Sequence, residues 1–247
     1  MKKIVFLLLL TTQVFFGQNG FESGNALYQK GNYEEAVSAY EGVLAGKKES
    51  AELYFNLANA YYKLNKVAPA IYNYEKALLL NPNDKEILNN LKFAQKLQID
   101  EIKEVPKVGF GKLLRDFTAL FDYNQWAWIS VTFAFLFLSF FAGYYLSQTS
   151  SYKMLFFFGM FFLAFVIIVS LLSALFEKSH DKNERPAVVF AEVTAVKSEP
   201  KASASDVFML HEGTKVFVME KLDDWKRIEL TDGTEGWIES SALKEVK

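Results

Sequence analysis

Few side chains in this sequence could perform covalent or acid–base chemistry, and each candidate group fails on spacing. The two histidines, His180 and His211, have no set of carboxylates at metal-ligand spacing around them. Ser240 and Ser241 lack a nearby histidine to serve as a base. The string Gly109-Phe110-Gly111-Lys112 invites a phosphate-loop reading, but that loop needs Gly where Pro106 stands and Ser or Thr where Leu113 stands. Acidic pairs such as Glu34-Glu35 fall on solvated helix faces. Cysteine is absent, which removes disulfides, thiol catalysis, thiolate metal sites and a lipid anchor on an N-terminal Cys. The expectation is a protein with no catalytic residues, no metal site and no cofactor. A net charge of −2 without basic runs speaks against nucleic acid as a partner.

What remains are amides and aromatics placed by repeating elements. Residues 34 apart match in kind: Gly24 with Ala58, Asn25 with Asn59, Ala26 with Ala60, Tyr28 with Tyr62, Ala36 with Ala70, and Tyr40 with Tyr74. Small residues at fixed places let two antiparallel helices approach, and the aromatics fill the gaps between them. Asn81-Pro82 ends the last helix of the second copy, because Pro cannot continue it. The strings GNALYQKGNYEEAVSAYEGVL from Gly24 and ANAYYKLNKVAPAIYNYEKALLLNPND from Ala58 resemble the tetratricopeptide repeat. The frame puts the copies at 17–50 and 51–84, with a capping helix or third half-repeat from Lys85 to about Ile99 carrying Ile87, Leu88, Leu91 and Ala94 on one face.

In that family the first helix of each repeat lines a protein-binding groove. The resemblance therefore implies that Asn25, Tyr28, Phe55, Asn56, Asn59 and Tyr62 face it, with packing between helices as the alternative for any of them. Relatives that clamp a peptide carboxylate place asparagines at the Asn25 and Asn56 positions beside basic residues. The basic positions here read Phe21, Glu86 and Asn90, so a different peptide or a folded partner is expected.

Apolar residues are unevenly spread, and most of the 24 phenylalanines fall between Phe110 and Phe176. Residues 124–176 read as a transmembrane hairpin, with spans at 126–146 and 154–176 that contain no charged side chain. Trp126 and Trp128 at one edge, and Tyr144, Tyr145 and Tyr152 at the other, suit the headgroup level. Ser139 with Gly143, and Ser170 with Ala174, offer small residues at the spacing that lets two such helices meet. The absence of intramembrane charge argues against transport. Residues 106–123 place Phe110, Leu113, Leu114, Phe117, Leu120 and Phe121 at helical spacing opposite Lys112, Arg115 and Asp116. This juxtamembrane segment is amphipathic, and either lies on a membrane surface or packs under the repeats. Residues 1–17 have the charged, apolar, small-residue order of a signal peptide, or else act as an uncleaved anchor. Either way the repeats at 18–105 are exported, the loop 147–153 is cytoplasmic, and the C-terminal region returns outside.

After a polar linker at 177–186, residues 187–247 alternate in strand fashion, with Asp232-Gly233 as a tight-hairpin signal. AVKSEP from Ala195, LHEGTKVFVM from Leu210, DDWKRIEL from Asp223 and DGTEGWIESSAL from Asp232 resemble the bacterial SH3 family, which implies a small curved barrel. The expected ligand face is Asp223, Asp224 and Trp225, while the Gly-Trp-hydrophobic strand is expected to turn Trp237 into the core.

The expected fold class is a multidomain membrane protein: an all-α tetratricopeptide solenoid, a two-helix hairpin and an all-β SH3-like barrel. That order of modules resembles the BatE family of the bacterial Bat aerotolerance operon. The resemblance implies a scaffold or adaptor in the bacterial inner membrane, with both soluble domains periplasmic. It implies partners among von Willebrand A-type membrane proteins and a MoxR-type AAA ATPase, in a complex linked to stress tolerance. Two other readings stay open: a cell-wall sensor whose SH3-like domain binds peptidoglycan, and an accessory subunit of an envelope enzyme or secretion complex.

Overall fold

A computed structural model of the chain describes residues 20–103 and 109–247. The export segment expected over 1–17 lies outside the described residues. The chain divides into two compact units: one built from the segments up to Val105 and from Arg185 onward, the other from Pro106–Glu184.

The first unit begins with helical residues 20–29 (α1), followed by α2 (Tyr33–Ala45), α3 (Ala51–Lys63), α4 (Val67–Leu80) and α5 (Lys85–Gln95). The sequence period recurs in backbone detail. Gly31 and Asn65, 34 apart, both take positive φ, at 81° and 57°. At each, a six-residue bond closes the turn, Asn32 N–H to Leu27 C=O and Lys66 N–H to Tyr61 C=O, both at 3.0 Å. Ser50 and Asp84, again 34 apart, are both N-caps: Ser50 Oγ accepts from Leu53 N–H, and Asp84 accepts from the Glu86 and Ile87 amides. Ala58 and Ala70 are fully buried at the helix crossing, as their size requires. In the first copy the approach is tighter, since a Cβ on Gly24 would lie 2.4 Å from the Tyr40 ring. On α5, Ile87, Leu91 and Ala94 are buried, whereas Leu88 is exposed.

The C-terminal part of this unit has seven strands: β1 (Pro186–Val189), β2 (Val193–Lys197), β3 (Asp206–His211), β4 (Lys215–Leu222), β5 (Trp225–Glu229), β6 (Glu235–Glu239) and β7 (Leu243–Glu245). They pair antiparallel in the order β3-β2-β6-β5-β4-β1-β7. The sheet is open, with β3 and β7 at its edges, and this corrects the closed barrel expected from the sequence. Two local features account for it: β2 bulges between Val196 and Lys197, and it pairs with β6 at a single register position, Lys197 with Trp237. The sheet nonetheless wraps a core of Val189, Val196, Val216, Val218, Ile228 and Ile238. Lys226 is nearly buried, and its Nζ lies 2.9 Å from Glu245, which also takes two bonds from Arg185. Burial pushes the Glu245 carboxyl up, but Lys226 and Arg185 together hold it below the usual carboxylate range. Removing this partner in Glu245→Ala strands a buried ammonium, and should cost about 3 kcal/mol. A thermal scan of the full chain that shows no loss would contradict this pairing.

The helical and β parts share one core. Val188 and Val246 belong to the same buried cluster as Val67, Ile71, Ile87 and Leu91. Tyr72 meets Phe190 edge-on at 5.6 Å. Around this contact, Lys215 Nζ reaches both Glu75 oxygens at 2.8 and 2.9 Å, and Gln98 Nε2 donates to Gly213 C=O. Asp100 accepts three bonds at 2.7 Å, from the His211 amide, the Thr214 hydroxyl and His211 Nδ1.

The second unit holds α6 (Phe110–Thr118), α7 (Tyr123–Leu146) and α8 (Ser150–Asn183). The last two are long and apolar enough to cross a membrane. α8 runs through the segment expected as linker, because no breaker stands between Phe176 and Pro186, where β1 starts. The α7–α8 contact is set by two glycines: a Cβ on Gly143 would sit 2.7 Å from Phe156, and one on Gly159 would sit 2.4 Å from Phe140. Ser139 stays exposed and Ser170 is buried, each bonding the carbonyl four residues back. Trp126 is not an open belt residue. It is 5% exposed and donates Nε1–H to Thr118 C=O at 2.8 Å, whereas Trp128 is 71% exposed.

Candidate functional site

The helical region carries one hydrogen-bonded motif twice. In the first copy, Asn25 Oδ1 accepts from the Tyr40 hydroxyl at 2.7 Å and from Asn56 Nδ2 at 2.9 Å. In the second, Asn59 Oδ1 accepts from the Tyr74 hydroxyl at 2.5 Å and from Asn90 Nδ2 at 3.0 Å. Every member is shifted by 34 residues. Burial, with Tyr28 and Glu52 nearby, pushes the Tyr40 phenol up to about 12, and burial pushes Tyr74 up as well. Both phenols therefore remain donors at any physiological pH. With both lone pairs of each central Oδ1 occupied, the orientation of the Asn25 and Asn59 amides is fixed by the network.

Among the described residues no hydrogen bond engages the Nδ2 donors of Asn25 and Asn59 or the Oδ1 acceptor of Asn56, which leaves these three groups for a ligand. Asn25, Tyr28, Gln29, Tyr40, Asn56 and Asn59 line a pocket of about 340 Å³. Of the six sequence candidates, the structure brings Asn25, Tyr28, Asn56 and Asn59 together in this pocket. It places Phe55 against Tyr74, with ring centroids 6.0 Å apart, and Tyr62 against the shared core. Tyr40, Tyr74 and Asn90 are the members missed from sequence, although the same 34-residue spacing that pairs Asn25 with Asn59 also pairs Asn56 with Asn90. The pocket lining contains no charged side chain.

On the β-sheet, Asp223 and Asp224 are exposed in the β4–β5 turn, where Asp223 takes φ +50°, and Trp225 opens β5 half-buried. The inward reading of Trp237 is corrected. Gly236 and Ile238 are the buried residues of β6, and a Cβ on Gly236 would lie 2.3 Å from Val196. Strand alternation then puts Trp237 on the outer face, half-buried, between Arg227 of β5 and Lys197 of β2. Trp225 shares that face. The two histidines likewise have carboxylate partners: Glu184, four residues on and 3.6 Å away, for His180, and Asp100, which no spacing reveals, for His211. Among the described residues no group of three or more His, Cys, Asp or Glu side chains could hold a metal ion.

Comparison with known proteins assigns the modules. Residues 24–65 match the family described as TPR repeat, residues 51–84 match Tetratricopeptide repeat, and residues 192–244 match Bacterial SH3 domain. The chain thus contains tetratricopeptide repeats and a bacterial SH3 domain, both of which serve protein–protein interaction. No curated protein matches it. Among solved structures, the NMR structure of the first TPR domain of the human RPAP3 protein is 22% identical, covering 33% of this chain and 91% of that one at a TM-score of 0.24.

Proposed function

We propose that this chain is a membrane-held, non-catalytic scaffold of a bacterial inner membrane. In this reading its repeats capture an extended, uncharged stretch of a partner protein on the periplasmic side, within a Bat-type stress-tolerance complex of von Willebrand A-type proteins and a MoxR-type ATPase. The doubled Asn–Tyr–Asn array carries the reading. Its free amide donors and acceptors match the alternating C=O and N–H groups of a peptide main chain, and no charge at the pocket calls for a charged ligand. The shared core supports the placement of both modules on one side. Segments on either side of α7 and α8 that pack into one core must occupy the same compartment, so the two helices must make an even number of crossings.

A photo-crosslinking residue at Gln29, in membranes carrying the full chain, should trap one dominant partner. Asn25→Ala combined with Asn59→Ala should reduce that capture at least tenfold, because each change removes the donors and leaves a phenol unpaired. Undiminished capture by a variant that retains its helical content would overturn the groove assignment. Reporter fusions at residue 103 and after Lys247 should both behave as exported.

A second reading rests on the outer face of β5 and β6. Trp225 and Trp237 beside Lys197 and Arg227 could stack on and pair with carboxylate-bearing wall peptides. Retention of the full chain on purified peptidoglycan, lost in Trp237→Ala, would favour this cell-wall sensor over the scaffold.

A further inference from the structure

α6 has three distinct sides. One is held to the hairpin: Thr118 is 1% exposed and its carbonyl takes the Trp126 indole N–H, while Arg115 is paired with Glu177 of α8. The second side is polar, with Lys112 and Asp116 exposed. The third is apolar and open: Phe110 is 80% exposed, Leu113 68% and Leu120, in the turn that follows α6, 64%. Phe117 and Phe121 border that side and touch Trp126, at centroid distances of 5.5 and 5.1 Å.

The level of α6 along the hairpin is also set. The Gly143–Phe156 and Gly159–Phe140 contacts define an antiparallel register. Continued along the two helices, this register brings Tyr123, the first residue of α7, level with Phe176, the last apolar residue of α8 before Glu177. Arg115 therefore pairs with the charge that ends the apolar run, and Asp122 caps the helix that begins the other. The apolar side of α6 is continuous with the apolar hairpin surface at the level where charge resumes.

We propose that α6 is a one-leaflet anchor, with Phe110, Leu113 and Leu120 seated in the boundary between headgroups and acyl chains of a lipid bilayer. A soluble occupant would have to cover the hairpin's apolar surface too, because the two are continuous. A lipid leaflet covers both at once and leaves Lys112 and Asp116 in water. The inference rests on α7 and α8 crossing the bilayer, and extends that reading to a third contact.

The absence of cysteine makes the test direct. Single variants Leu113→Cys, Asp116→Cys and Phe165→Cys of the full chain carry an environment-sensitive fluorophore, in nanodiscs holding one chain each. The lipids bear a nitroxide either near the headgroup or deep in the acyl chain. The shallow nitroxide should quench the Leu113 site severalfold more than the Asp116 site, and the deep one should quench the Phe165 site. If the Phe165 site is quenched while the Leu113 site stays wet and unquenched, the anchor is overturned and the crossing stands. A wet Phe165 site overturns both. A dry Leu113 site untouched by either nitroxide indicates a protein occupant, and also overturns the anchor.

Discussion

Replacing Gly213 with Val should lower the thermal midpoint of the full chain by roughly 6–12 °C, the equivalent of about 3 kcal/mol for a protein of this size. Two penalties combine at this position. Gly213 has φ +88°, where a side chain strains the backbone by about 1–3 kcal/mol. A Cβ there would also lie 2.9 Å from Val67 and 3.2 Å from Ile71, the α4 residues at the centre of the shared core. Gly233 supplies the control. Its φ is +87°, but a Cβ there would have no neighbour within 4 Å, so Gly233→Ala measures strain alone. Gly213→Ala should cost more than Gly233→Ala by about 1–2 kcal/mol, the part due to crowding against α4. Equal losses would mean that the β-domain does not press on the repeats at this point.

Asp100→Ala should be comparably damaging, at about 3 kcal/mol, because a half-buried carboxylate with three charge-assisted bonds leaves with its partners still in place. The pH dependence has a definite sign. Burial opposes ionisation of Asp100, but the bonds from the His211 amide, the Thr214 hydroxyl and the His211 ring outweigh it and hold the carboxyl below its usual value. A carboxyl depressed in the folded state contributes stability above its unfolded pKa of 3.8, and this is lost as pH falls through the lower folded value. The native chain should therefore lose stability more steeply than Asp100→Ala between about pH 5 and the folded pKa. Parallel acid-unfolding curves for the two proteins would refute the role given to this carboxylate.

What could be read from the sequence was local or periodic. The 34-residue recurrence predicts the repeats, and it extends to details such as the Gly31 and Asn65 turns and the Ser50 and Asp84 caps, because each is fixed by its immediate neighbours. Long uncharged runs identify α7 and α8 for the same reason. Two misreadings came from choices that a neighbouring element makes. Trp126 resembles any tryptophan at the edge of an apolar run until α6 folds over it. Trp237 turns outward because β2 leaves no room for a side chain on Gly236. The Asp100–His211–Thr214 cluster lay beyond pattern reading altogether, because its members are separated by both apolar helices and no period links them. The Asn–Tyr–Asn array falls between these cases: its spacing was visible, but which atoms bond was not.

Val246, which fills the same buried cluster as Ile71 and Leu91, is synthesised after both apolar helices. The repeats therefore remain without part of their interior until the segment just past the last strand has been made. Folding of this unit cannot finish during synthesis of its first half. A chain that stops short of these strands leaves an unfilled apolar face on the repeats, the kind of surface that proteases and chaperones recognise. The interleaved architecture thus makes completion of the C-terminal strands a precondition for a fully packed repeat interior.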